Sequence, residues 1–99
     1  MLNVTKRAED NFLTLALAGR LDTTTAPQLE SELKDDLDGV TALTLDLREL
    51  EYISSAGLRV LLSAQKTMNK QGEMKVSGTN ETIMEIFEVT GFSDILNLV

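Results

Sequence analysis

Ninety-nine residues with 42% hydrophobic and 25% charged side chains describe one ordinary globular domain, long enough to take roughly 60–70% of its unfolded surface out of water. Sixteen acids against nine bases leave a formal charge of −7, which repels a phosphate backbone or an anionic bilayer and argues against nucleic acid or membranes as partners. With no cysteine and no histidine, the chain lacks the residues for disulfides, thiolate metal sites, cysteine nucleophiles and histidine bases.

The Met1-Leu2-Asn3-Val4 start has neither the basic stretch nor the apolar run of a secretory signal, and no window approaches the ~20 apolar residues of a membrane span. A cytoplasmic protein without direct membrane insertion is expected. Leu2 to Arg7 predicts an edge strand, Ala8-Glu9-Asp10-Asn11 a turn, and Phe12 to Ala18 a central strand with Leu13, Leu15 and Leu17 on one face. Gly19 permits a tight bend or the close approach of another segment.

Thr23 to Gln28 reads as a helix start, with Pro27 in the first turn and Thr25 and Gln28 at capping-box spacing, although Ala26 is an equally good cap. Leu29, Leu33 and Leu37 give that helix an apolar stripe and Gly39 ends it. Asp35, Asp36 and Asp38 oppose the negative end of the helix dipole, so the last turn either frays or is held by packing.

Val40 to Leu47 predicts a buried strand beside the Phe12 strand, and Arg48 to Ile53 a loop leading to Ser54-Ser55-Ala56-Gly57. These two serines stand at the start of a helix running from Leu58 to about Asn69, striped by Gly57, Val60, Leu61, Ala64 and Met68. Glu73 to Ser77 is a strand at the far side of the sheet, Gly78-Thr79-Asn80 a turn and cap, and Ile83, Ile86 and Phe87 mark a third amphipathic helix. Ile95 to Val99 returns as a short strand or an extended tail. The order β-β-α-β-α-β-α-β implies an α/β fold with a mixed, largely parallel sheet and right-handed crossovers over residues 1–99.

Few motifs carry chemistry. Ser63-Ala64-Gln65-Lys66 has the Ser-x-x-Lys spacing of penicillin-binding enzymes, but their companion motifs are absent, so a small hydrolase is the weakest reading. No phosphate loop or dinucleotide fingerprint occurs, and Asp35-Asp36-Leu37-Asp38 reads as a solvated helix end rather than a cation site. No cofactor, no metal and no catalytic residue are expected. Taken locally, Ser54-Ser55-Ala56-Gly57 is a serine cap, a loop serine and a glycine for close packing.

Wider spacing alters that. Gly19-Arg20-Leu21-Asp22 with its threonine-rich sequel, Leu45-Asp46-Leu47-Arg48-Glu49-Leu50, Tyr52-Ile53-Ser54-Ser55-Ala56-Gly57-Leu58 and Thr90-Gly91-Phe92 occur in the order and spacing of the STAS domain. The chain resembles the bacterial anti-sigma factor antagonists of that family over nearly its whole length. The resemblance implies a mixed sheet with helices mainly on one face, and a serine at the start of the second helix that a kinase anti-sigma factor phosphorylates. Against the family pattern Asp-Ser-Ser/Thr-Gly-Leu, Ser55 is the acceptor. Ser54 stands where an acid is usual and Ala56 where a second hydroxyl is usual, which leaves Ser54 as the second-choice acceptor.

Asp22 matches an acidic position beside the acceptor and reads equally as a turn residue. Partner binding is expected at Asp22, Thr23, Ser54, Ser55, Ala56, Gly57 and Leu58. The implied function is a non-enzymatic antagonist that binds an anti-sigma factor serine kinase when unphosphorylated, frees the sigma factor, and is reset by a serine phosphatase. The competing reading is a constitutive accessory subunit of a lipid-transporting ABC system, in which Ser55 is never modified. No long apolar stretch is left outside the predicted elements, so a monomer is the default when free.

Overall fold

A computed structural model describes residues 1–99. The elements are β1 (Leu2–Glu9), β2 (Phe12–Leu21), α1 (Ala26–Asp36), β3 (Ala42–Ile53), α2 (Ser55–Gln71), β4 (Glu73–Ser77) and α3 (Glu81–Thr90), followed by a single 3-10 turn at Phe92–Asp94. They form one sheet in the order β1-β2-β3-β4. A two-residue turn at Asp10-Asn11 makes β1 and β2 an antiparallel hairpin, and the crossovers through α1 and α2 make β2-β3 and β3-β4 parallel.

Alternation places the core. Leu13, Leu15 and Leu17 of β2, Leu43, Leu45 and Leu47 of β3, and Met74 and Val76 of β4 are all buried on one face. Against them pack Leu29 and Leu33 of α1, Val60, Leu61, Ala64 and Met68 of α2, and Ile83 and Phe87 of α3, in one contiguous cluster of 25 buried residues. The other face carries half-buried Thr14, Ala16, Thr44 and Asp46 beside exposed Arg48 and Lys75.

Four expectations need correction. Residues 48–53 are not a loop: β3 continues to Ile53 because β2 also runs on to Leu21 and offers it a parallel partner, across register shifts after Ala16 and Gly19. The charges of Arg48, Glu49 and Glu51 hid this extension, yet Leu50 and Ile53 point into the core. The second helix begins at Ser55 rather than Leu58. A fifth strand does not form; the chain end makes one parallel bridge, Val76 to Leu98, with the Val76 N–H donating to Asn97 C=O at 2.9 Å.

The fourth correction is at the start of α1. Thr25 is the N-cap, but its side chain caps nothing. Pro27 occupies the second helical position and has no N–H to offer, and the Thr25 hydroxyl is engaged instead by the Asp22 N–H and the Arg20 carbonyl, each at 2.8 Å. Gln28 reaches away to donate to the Leu2 carbonyl at 3.2 Å. The acidic end of α1 is held by packing partners: Lys6 lies 2.7 Å from Asp36, and the Gln71 side chain donates to the carbonyls of Leu37 and Val40.

Gly19 has φ +102, and a β-carbon there would run into the Met1 carbonyl, so the close approach expected at this glycine is that of the chain start. The Arg20 N–H donates to the same carbonyl at 3.1 Å.

Candidate functional site

The site lies where β2 and β3 end together. Leu21 is level with Ile53 in the parallel ladder, and the Ser54 N–H donates to the Leu21 carbonyl at 2.8 Å. That bond sets the β2–α1 loop, Asp22 to Thr25, against the β3–α2 junction. In open α/β sheets the C-terminal ends of parallel strands are the usual place for a ligand or partner, because the loops there splay apart and leave polar backbone exposed.

Ser54 is the N-cap of α2, with extended backbone at φ −95 and ψ 176; its hydroxyl accepts from the Gly57 N–H at 3.3 Å and its carbonyl from the Leu58 N–H at 2.9 Å. Ser55 is the first helical residue and is exposed, whereas Ser54 is half-buried. Of the two hydroxyls, that of Ser54 is therefore occupied by the helix and that of Ser55 faces solvent. Ala56 is half-buried beside it, and Gly57 and Leu58 are buried.

Gly57 explains how α2 begins so close to the sheet. A β-carbon on it would stand 2.7 Å from Leu21 Cγ, 2.9 Å from Ile53 Cγ1 and 3.0 Å from the Leu21 carbonyl oxygen. Only a residue without a side chain lets the helix start rest on both strand ends. Gly57 and Leu58 thus act from beneath, and Asp22, Thr23, Ser54, Ser55 and Ala56 form the accessible part of the predicted set.

Asp22 is held by its own loop. Its Oδ1 accepts from the Thr24 hydroxyl at 2.7 Å, the Thr24 N–H at 3.0 Å and the Thr25 N–H at 3.1 Å. These bonds, the Thr24 hydroxyl foremost, hold its carboxyl down to about 2, so it is an anion throughout the physiological range. The Arg20 Nε lies 3.8 Å from the other oxygen, and the Arg20 guanidinium stacks 4.5 Å above the Tyr52 ring. Thr24, Thr25, Arg20 and Tyr52 were not among the predicted site residues. An aspartate followed by threonines is itself the signal of such a turn.

Ser63 and Lys66, the pair of the hydrolase reading, are both exposed on α2 and no hydrogen bond joins them. Ser63 lines an open groove of about 490 Å³ between α1 and α2 with Leu33, Leu37, Val60 and Ala64, and Lys66 does not line it. No helix is long and apolar enough to cross a membrane.

Fold and site together define a small α/β domain that presents a serine hydroxyl from a helix start, beside a fixed carboxylate, at the ends of two parallel strands. The STAS domain model matches residues 3–99, and the chain belongs to the STAS domain family. It is 41% identical over 88 residues to BtrV of Bordetella bronchiseptica, named as a candidate anti-sigma factor antagonist, covering 87% of this chain and 76% of that protein. To an anti-sigma-B factor antagonist of Staphylococcus aureus it is 29% identical over 99 residues, covering 98% and 92%. Among solved structures, an anti-sigma factor antagonist from Mycobacterium paratuberculosis superposes with a TM-score of 0.89 at 23% identity, covering 99% of this chain and 85% of that one. This last likeness is one of fold.

Proposed function

We propose that the chain is an anti-sigma factor antagonist controlled by phosphorylation of Ser55. The unphosphorylated form binds an anti-sigma factor kinase and so frees its sigma factor; the phosphorylated form lets go; a serine phosphatase restores it. The observation that carries the reading is the exposed Ser55 hydroxyl, at the first position of α2 and tied through Ser54 and Leu21 to the Asp22 loop. Membership of the STAS family and the names of the relatives in Bordetella and Staphylococcus support it.

The chemistry is that of a charge placed on a contact surface. A phosphate on Ser55 adds roughly −1.5 to −2 charges. The first turn of α2 accepts that charge, because unpaired N–H groups and the helix dipole favour an anion there. A partner covering the site does not: it would have to desolvate a dianion beside the permanently ionised Asp22, on a chain of net charge −7. The complex is therefore released while the fold is kept.

Intact-mass measurement after incubation with ATP and a lysate of the native host tests this. A single added phosphate is expected in the wild type and in Ser54→Ala, and none in Ser55→Ala. No phosphate on the wild type under any condition would overturn the switch and favour a constitutive interface at Ser55.

A further inference from the structure

Arg59 follows Ser55 by one turn of α2, and both are exposed. Residues four apart on a helix are neighbours, with β-carbons ~5–6 Å apart, and long helical side chains lean toward the preceding turn. The natural direction of the Arg59 side chain is thus back over Ser55. Arg59 has no competing partner: α2 contains no acid, its neighbours at three and four residues are Ser55, Ala56, Leu62 and Ser63, and none of the five ion pairs in the protein includes it.

Of the charges in the loop beside Ser55, Asp22 and Arg20 are already engaged. Asp22 is saturated at one oxygen by Thr24 and Thr25, and Arg20 is shared between Asp22 at 3.8 Å and the Tyr52 ring at 4.5 Å. A phosphate arriving on Ser55 meets a fixed carboxylate across the loop and a free guanidinium on its own helix. Guanidinium and phosphate match in geometry and form charge-assisted hydrogen bonds.

We propose that Arg59 is the internal counter-ion of the phosphate on Ser55. This inference rests on the reading of Ser55 as the acceptor and adds how the modified surface is arranged. Arg59 offsets part of the repulsion from Asp22, pins the phosphate along α2, and is itself withdrawn from any acidic group of a partner. Modification then changes two charged groups on the contact surface, the phosphate gained and the guanidinium masked.

The test uses the full chain with phosphoserine installed at position 55 by genetic encoding, so no kinase is needed. Phosphorus NMR follows the second ionisation of the phosphate in that protein and in its Arg59→Gln, Arg59→Lys and Lys66→Gln variants. The second pKa is expected to be lower in the wild type than in Arg59→Gln by about 0.3, the size of a helix-surface ion pair. Arg59→Lys should recover part of the difference, Lys66→Gln should behave as wild type, and high salt should narrow the gap. Equal values in the wild type and Arg59→Gln, or the same rise in Lys66→Gln, would discard the pair. Because the phosphate is installed rather than transferred, this outcome is independent of whether the host modifies Ser55 at all.

Discussion

Asp22 and Ser54 do different work within one hydrogen-bonded corner. Asp22 keeps the β2–α1 loop in one shape by accepting from Thr24 and Thr25, and those bonds are stronger to the carboxylate than to the neutral acid. Its pKa is depressed from 3.8 to about 2, so its contribution to stability is fully present above the ordinary carboxylate value and is lost as the pH falls through about 2. Carboxyl NMR is expected to give Asp22 a midpoint near 2, with the Thr24 and Thr25 amide signals moving together; a midpoint near 4 would show that the turn is not formed in solution. Ser54→Ala removes the cap on Gly57, whose bond is long at 3.3 Å, and should cost about 0.5–1 kcal/mol in urea unfolding. Ser55→Ala removes an exposed hydroxyl and should stay within ~0.5 kcal/mol. The roles of these residues were legible in their types: a serine before a helix is a cap and an aspartate before threonines is a turn. Which serine is free was not, because that depends on where α2 starts.

Among the elements, the junction of β3 with α2 is the one most exposed to small changes. Gly57→Ala places a methyl group within 3.0 Å of Leu21 and Ile53, two buried side chains, and of the Leu21 carbonyl. It should cost about 1–3 kcal/mol by urea denaturation, and by lifting the helix start it should speed hydrogen exchange at the Ser54 amide, whose acceptor is the Leu21 carbonyl. Unchanged exchange at Ser54 would mean that α2 does not depend on this contact for its seat. Leu13, Leu15 and Leu17, or Leu29 and Leu33, could be assigned to a face by their period alone, and each is buried. Residues 48–53 could not: their charges read as loop, and only the presence of β2 alongside turns them into strand.

For the whole molecule, one cluster of 25 buried residues drawn from the sheet and all three helices leaves no part with a core of its own. A single cooperative urea transition is expected by circular dichroism and fluorescence of the lone Tyr52, with coincident midpoints. Phosphoserine at position 55 should leave that transition within ~0.5 kcal/mol of the unmodified protein, since the added charge sits on an exposed first turn. A phosphate that lowered stability by several kcal/mol would make the switch an unfolding event rather than a surface one.

By itself the sequence determined the periods of its strands and helices, the excess of acid, the lack of thiol and imidazole, and the serine pair ahead of a glycine. These are local properties, set by residue type and spacing. The tertiary structure alone decided that the end of β2 is bonded to the β3–α2 junction, that the Ser54 hydroxyl is spent on the cap, and that Gly57 lies against two strand ends. The reason is the parallel pairing of β2 with β3: segments far apart in the chain meet only when both strands run in the same direction and stop at the same level, Leu21 beside Ile53.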